Sequence, residues 1–234
     1  MASPQIIVHR GAWQESDLPQ NSLAALQRAK EIGCVNVELD VHLTADNIVV
    51  VNHDHDFYGI PIETSSYMEL CEKQHPNGEN IPKLNEFLAF AKELDLYLFL
   101  EIKASVINTE RSLQLTEQTL ANVEQINLAP RIHYISFDAS ILEKVLLLEP
   151  SSVVSYLAGD LEPSQVAANG WQGIAYHQLV LRTHTAWIAQ AHQLGLLINV
   201  WTVNDTENMH WFLQSGIDFI TTDKPEQLQS IQKP

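Results

Sequence analysis

Glu38-Leu39-Asp40 sets two carboxylates one residue apart, and Glu101-Ile102-Lys103 repeats the spacing with an acid and a base. In an extended strand residues i and i+2 share a face, so Glu38 and Asp40 project together while Leu39 points away. Adding Glu101 makes three acidic groups, which, if gathered at one barrel mouth, repel one another and hold protons more tightly unless a cation compensates them. A hard divalent ion, Mg²⁺ or Ca²⁺, is one compensation, because both take oxygen ligands and keep positions for water and phosphate. An interior salt-bridged to Lys103 or Arg10, with no metal, is the other arrangement the spacing allows.

Two histidines add acid-base chemistry. His9 ends the apolar run QIIVH and is followed by Arg10 and Gly11, while His53 stands in VNHD. An imidazole near its ordinary pKa of about 6.5 exchanges a proton in either direction at neutral pH, which suits a cleavage needing one base and one acid. The run His53-Asp54-His55-Asp56 also invites a binuclear-metal motif of the H-x-H-x-D-H kind, which fails because Phe57 and Tyr58 occupy its last two positions. His42 continues the face of Glu38 and Asp40, and either reaches the same site or sits beyond the strand's functional end. His75, His133, His184, His192 and His210 are read as surface or packing residues on loops or helices.

These groups need a scaffold, and the chain supplies a repeating one. Short β-branched runs recur at 5–9, 35–41, 97–102, 132–137, 152–157, 173–177, 196–203 and 218–222. Stretches with apolar residues at helical spacing lie between them, such as NSLAALQRAKEI and LNEFLAFAKEL, several closed by a capping glycine at Gly33, Gly195 or Gly216. Eight strand-helix units predict an α/β protein of the (β/α)8 TIM-barrel type. The pattern is interrupted after the second strand by a hairpin, LTADNIVVV, and by a polar segment from Phe57 to Pro82 read as a loop excursion above the barrel. In such barrels the active site lies at the C-terminal ends of the strands, where His9, Arg10, Glu38, Asp40, Glu101, Lys103, Trp201, Asn204 and Asp223 all fall.

Composition bounds the function. A chain of 234 residues with 45% hydrophobic and 18% charged residues is expected to form one domain, residues 1–234. The formal charge of −16, from 13 basic against 29 acidic residues, argues against nucleic acid as a partner, because phosphate-backbone binding needs clustered cations. No apolar run approaches a membrane span, and the first residues lack an export signal, so a soluble cytoplasmic protein without stable membrane insertion is expected. Cys34 and Cys71 lack metal-ligand spacing and read as small hydrophobes rather than a disulfide. The oligomeric state is not legible.

The motifs HRG (9–11), P-x-N-S-L-A-A (19–25), E-x-D (38–40), H-D (53–54), E-x-K (101–103), WTVN (201–204) and G-I-D-x-I-x-T-D-x-P (216–225) occur in that order. Together they resemble the glycerophosphodiester phosphodiesterase family, and especially its small cytoplasmic bacterial members, over essentially the whole chain. The resemblance implies a TIM barrel and metal-dependent hydrolysis of a glycerophosphodiester, a small-molecule substrate, to sn-glycerol 3-phosphate and an alcohol. Carried over residue by residue, it makes Glu38, Asp40 and Glu101 the ligands of one Mg²⁺ or Ca²⁺, and His9 and His53 the acid-base pair. Arg10 and Lys103 would meet the phosphate oxygens, with His177 and Trp201 as further substrate-binding residues.

Two positions depart from the family pattern. Gln20 stands where the family has a glutamate, so an acceptor is kept and a charge lost. The segment after His53 is shorter and lacks the family's D-x-T-x-x-R-T run. Two other readings stay open on the same residues: a lysophospholipase D-type lipid phosphodiesterase, for which Phe57–Ile62 is the apolar loop near the site, and a non-catalytic phosphodiester-binding barrel with Gln20 as its mark.

Overall fold

A computed structural model describes residues 3–233. Its elements in chain order are β1 (Gln5–Val8), α1 (Leu23–Glu31), β2 (Asn36–Leu43), β3 (Val49–Val51), β4 (Asp56–Phe57), β5 (Ile60–Pro61), α2 (Tyr67–Leu70) and α3 (Leu84–Glu93). They continue as β6 (Tyr97–Ile102), α4 (Thr109–Ile126), β7 (Ile132–Ser136), α5 (Ala139–Leu148), β8 (Val153–Tyr156) and α6 (Pro163–Ala168). The chain closes with β9 (Gly173–His177), α7 (Gln178–Thr183), α8 (Ala186–Gln193), β10 (Leu197–Trp201), α9 (Thr206–Gln214), β11 (Phe219–Thr222) and α10 (Pro225–Gln232).

Eight parallel strands close into a barrel. The order runs β1-β11-β10-β9-β8-β7-β6-β2, and β2 returns to pair with β1. This is the expected (β/α)8 TIM barrel, with the strand bounds shifted by a residue or two from those read in the sequence. The outer faces of the strands bury Val8, Val37, Leu39, Leu98 and Leu100 against the helices in one continuous core. The barrel's interior is filled by Ile7, Phe99, Ile135, Leu157 and Ala175, so it is a packed plug rather than a pore. That plug is the floor on which polar side chains at the strand ends stand.

The hairpin expected after the second strand forms, with β3 antiparallel to β2 from Leu43↔Val49 to Val41↔Val51. Asn47 in its turn takes the left-handed conformation at φ 63°. The segment from Phe57 to Pro82 is more ordered than a loop excursion. It holds the β4–β5 pair and α2, and buries Phe57, Ile62, Leu70 and Ile81 with Val50 in a small core of its own. The signal was present as Ser66-x-x-Glu69, a capping box in which both reciprocal bonds are made. Because Phe57 and Ile62 are consumed by this core, Phe57–Ile62 is not an apolar cover for the site.

His133 is likewise corrected. It lies on β7, not on a loop or helix, paired in register with Phe99 and stacked on its ring at 4.7 Å. Its Nε2 shares a 2.7 Å hydrogen bond with the Ser155 hydroxyl. His75 packs as expected, edge-on to Phe57 and bonded through Nδ1 to the Tyr58 hydroxyl.

Candidate active site

At the C-terminal ends of the strands His9, Arg10, Glu38, His53, Glu101 and Lys103 line one cavity of about 110 Å³, walled by Phe137 and Trp201. It opens onto a broader outer region of about 520 Å³ bordered by His53, Asp54, His55 and Phe137. The carboxylates meet because of strand register. Asp40 of β2 is directly paired with Glu101 of β6, and Glu38 precedes Asp40 on the same face. Oxygen atoms of Glu38, Asp40 and Glu101 all lie within 4.8 Å of one another.

The turn after β1 aims two groups at this cluster. Arg10 is held at φ 55°, an uncommon conformation for a side chain of its size, and its N–H donates to Glu38 Oε2 at 3.0 Å. Gly11 follows at φ 81°, and a Cβ there would stand 2.7 Å from that of Ala25, so only glycine lets α1 pack this closely. In the next loop Asn21 Nδ2 donates to Asp40 Oδ2 at 2.9 Å, and Ser22 caps α1 by accepting from the Ala25 N–H. The P-x-N-S run therefore joins a helix start to a carboxylate clamp.

Electrostatically the cavity is a balance of acids and bases. Lys103 Nζ reaches Asp40 Oδ1 at 2.8 Å and Glu101 Oε1 at 2.6 Å, while Arg10 Nε stands 3.5 Å from Asp40 Oδ2. Burial works to raise the Asp40 carboxyl, but Lys103 and Arg10 overcome it and hold it below the usual range. Glu101 is pushed up to about 7 by burial and then by the charge of Asp40. Glu38 is raised well above its ordinary value by burial, Asp40 and Glu101. Two cations thus leave the trio short of positive charge. Arg10 Nε is also buried and, at its longer distance from Asp40, has no aligned hydrogen-bond partner among the described residues. Clustered oxygens of this kind fit a hard divalent cation, and the free guanidinium nitrogen fits an anion.

Each imidazole is held by a carboxylate. His9 Nδ1 lies 2.7 Å from Asp223 Oδ1, which also accepts from Trp13 Nε1 at 3.2 Å. The other oxygen of Asp223 accepts from Asn204 Nδ2 at 2.6 Å. Burial opposes ionisation of Asp223, yet the bonds from His9, Asn204 and Trp13 keep its carboxyl below the ordinary value. An ionised Asp223 can only accept, so the His9 proton sits on Nδ1 and leaves Nε2 facing the cavity, 3.9 Å from Glu38. His53 repeats the device with Asp54, at 2.7 Å, on a more exposed loop.

The remaining expected residues sit at the rim. Trp201 forms a wall, anchored by Nε1 to the Ala175 carbonyl at 2.7 Å and edge-on to Phe137. His177 stands behind it, with rings 5.1 Å apart, and its Nδ1 accepts from the Leu179 N–H at the start of α7. Gln20 Oε1 accepts from Arg10 Nη1 at 2.7 Å, so the uncharged residue keeps the guanidinium oriented. Sequence reasoning gave no role to Asp223, Asn21 or Asp54. The T-D-x-P and P-x-N motifs contained the first two, and H-D the third.

A barrel with carboxylates, imidazoles and cations gathered at its C-terminal face has the groups that an enzyme working on phosphate esters needs. The chain matches the glycerophosphoryl diester phosphodiesterase family model over residues 9–227, and it belongs to that family. It is similar to a glycerophosphodiester phosphodiesterase from Parabacteroides distasonis whose crystal structure superposes with a TM-score of 0.94, at 41% identity over 98% of this chain and 96% of that one. The glycerophosphodiester phosphodiesterase of Caldanaerobacter subterraneus subsp. tengcongensis is 27% identical over 95% of each chain. An Oleispira antarctica phosphodiesterase, in complex with the product sn-glycerol-3-phosphate, shares the fold with a TM-score of 0.85 at 23% identity over 97% of this chain and 96% of that one. The chemistry is that of a phosphoric diester hydrolase. Among the described residues no helix is long and apolar enough to cross a membrane.

Proposed function

We propose that residues 1–234 act as one catalytic domain that hydrolyses glycerophosphodiesters to sn-glycerol 3-phosphate and an alcohol in the cytoplasm. The observation that carries this reading is the convergence of His9 and His53, each backed by a carboxylate, on the cavity that holds Arg10, Lys103 and the acidic trio. Glu38, Asp40 and Glu101 would hold one Mg²⁺ or Ca²⁺. When bound, such an ion supplies a Lewis acid that withdraws charge from phosphoryl oxygens.

The chain's own residues do the rest. One imidazole takes the proton of the attacking hydroxyl, from water or from the glycerol moiety, and the other delivers a proton to the departing oxygen. Arg10 and Lys103 offset the negative charge that grows on phosphorus-bound oxygens in the transition state. Asp223 and Asp54 fix which nitrogen of each ring faces the substrate. Trp201 and Phe137 close the apolar side, with His177 bracing Trp201. The Oleispira enzyme's product supports glycerol 3-phosphate as the product here.

A second substrate class has its own observation. Val106, Ile107 and Phe137, on loops after β6 and β7, are large apolar side chains exposed at the C-terminal face, where an acyl chain of a lysolipid would rest. The test is release of glycerol 3-phosphate from glycerophosphocholine and glycerophosphoethanolamine against release of headgroup from lysolipids, with Mg²⁺ or Ca²⁺ and with chelator. We expect the small diesters to be preferred and chelation to abolish turnover. Binding of a labelled diester without hydrolysis under all conditions would instead make the barrel a binding module.

A further inference from the structure

A second cluster of ligating atoms lies beside the active site, with different donors. Atoms of His42, His55 and Glu63 all lie within 4.8 Å of one another. His42 is buried at the end of β2, and its Nε2 donates to the His53 carbonyl at 3.1 Å. That bond leaves Nδ1 as the free donor atom, the arrangement in which one ring nitrogen is fixed by a backbone carbonyl while the other binds a metal. The rings of His42 and His55 stand 4.9 Å apart, and His55 Nδ1 is 3.7 Å from Glu63 Oε1. Two ligands about 2.0 to 2.2 Å from a shared ion stand at roughly such a separation.

Glu63 is the residue that asks for a partner. Its carboxylate is buried and is held in place by the Ser105 hydroxyl and by the Val106 N–H at 3.0 Å. Among the described residues only His55 lies within ion-pair distance of it. Two cations border the same small pocket but are committed elsewhere, Lys103 to Asp40 and Glu101, and Arg111 to the Thr44 carbonyl, Asn47 and Gln114. A buried carboxylate without a fixed cation, faced by two imidazoles, is costly unless a charge completes it.

We propose that His42, His55 and Glu63 form a second metal site, distinct from the Glu38-Asp40-Glu101 cluster, that takes a borderline transition ion such as Zn²⁺ rather than Mg²⁺ or Ca²⁺. Two imidazoles and one carboxylate favour ions of that class, whereas the all-oxygen trio favours hard ones. The half-exposed side of His55 leaves room for water to complete the coordination. The ion ties the end of β2 to the loop after β3 and to the segment carrying Glu63, and so braces the His53 backbone from below. The assignment rests on this geometry and not on the catalytic role of His53.

The experiment strips the 234-residue chain with chelator and re-dialyses it against limiting Zn²⁺ in excess Mg²⁺, then counts zinc per chain. Wild type and Asp40→Asn should each retain one Zn²⁺. His55→Ala and Glu63→Gln should weaken its binding by at least the roughly 10- to 100-fold that even an orienting partner is worth. His55 is exposed enough for its variant to fold, which circular dichroism checks. With Co²⁺ in place of zinc, the visible absorption bands of an imidazole-bound ion should be present in wild type and lost in His55→Ala. Zinc that stays with His55→Ala and Glu63→Gln but leaves with Asp40→Asn would overturn the proposal, as would the binding of no zinc in excess Mg²⁺.

Discussion

The two imidazoles of the active site are mounted in opposite ways. His9 directly follows a barrel strand, and its backbone N–H donates to the Thr222 carbonyl of the neighbouring strand. Its partner Asp223 is buried and bound by three donors. His53 sits on the loop after the short β3, and its partner Asp54 is 65% exposed in its side chain. Burial, aided by Lys103 and Arg10, draws the His53 pKa below its ordinary value against the opposing charge of Asp40. One ring is thus held by the barrel and the other by an insertion whose small core is separate. The difference teaches that orientation on the His9 side is built into the fold, while on the His53 side it depends on the loop and its neighbours.

The largest effect should come from removing either ring. His9→Ala and His53→Ala are each expected to lower kcat by roughly 10²- to 10⁴-fold, the usual worth of a positioned acid or base. A nitrophenyl phosphodiester, whose leaving group needs no proton, should restore most of the rate to only one of the two variants, and that one has lost the acid. Equal rescue of both would break the assignment of separate roles.

The carboxylates behind the rings come next and test the comparison directly. Asp223→Asn should lower kcat by roughly 10- to 100-fold, because an amide can present the wrong group to Nδ1 and also disturbs Asn204 and Trp13. Asp54→Asn should cost less than about tenfold, since solvent can replace an exposed acceptor. Kinetics of the two variants at one pH decide it. If Asp54→Asn proves the more damaging, the loop is the better-organised side and the comparison is reversed.

The acidic trio offers a pH test of the metal assignment. The Glu101 carboxyl is raised from 4.5 to about 7 in the fold, by burial first and then by Asp40, and Glu38 is raised as well. Between those values the folded protein binds protons that the unfolded chain has released, so metal-free stability falls as pH rises through the Glu101 window, and the raised Glu38 carboxyl adds a fall of the same sign. A divalent ion binds the ionised trio and cancels the repulsion. The rise in Tm on adding Mg²⁺ or Ca²⁺ should therefore be small at pH 5 and larger at pH 8. An increment that is the same at both would place the ion elsewhere.

Much of the barrel was legible because its strands are dense in β-branched residues and each sits between capped helices, so local pattern and fold agree. The E-x-D spacing also gave a shared face for Glu38 and Asp40 from periodicity alone. The pairing of Asp40 with Glu101 was not legible, since strand register is settled by packing across the sheet. Nor was the partnership of His9 with Asp223, 214 residues apart, which exists only because β11 closes onto β1. The insertion was misread for a related reason. Val50, Phe57, Ile62, Leu70 and Ile81 are scattered singly among polar residues, and only the turns between them bring them into one core.

The smallest expected effect is at Gln20, on the His9 side. Its Oε1 already accepts from Arg10 Nη1 at 2.7 Å, so Gln20→Glu changes the charge of the acceptor and not its presence. A carboxylate would grip the guanidinium more firmly through a charge-assisted bond, and would also neutralise part of the cation that faces the phosphate. These effects oppose one another in the rate. Since the orienting bond survives in both forms, kcat/KM should differ by less than the roughly 10- to 100-fold that loss of such a partner causes. The measurement is kcat and KM for glycerophosphocholine on wild type and Gln20→Glu at saturating metal. A rise of more than about 100-fold in the variant would mean that Arg10 needs a charged partner to act. The barrel-mounted side would then be the compromised one, and the contrast drawn between the two imidazoles would have to be rebuilt from the His53 side.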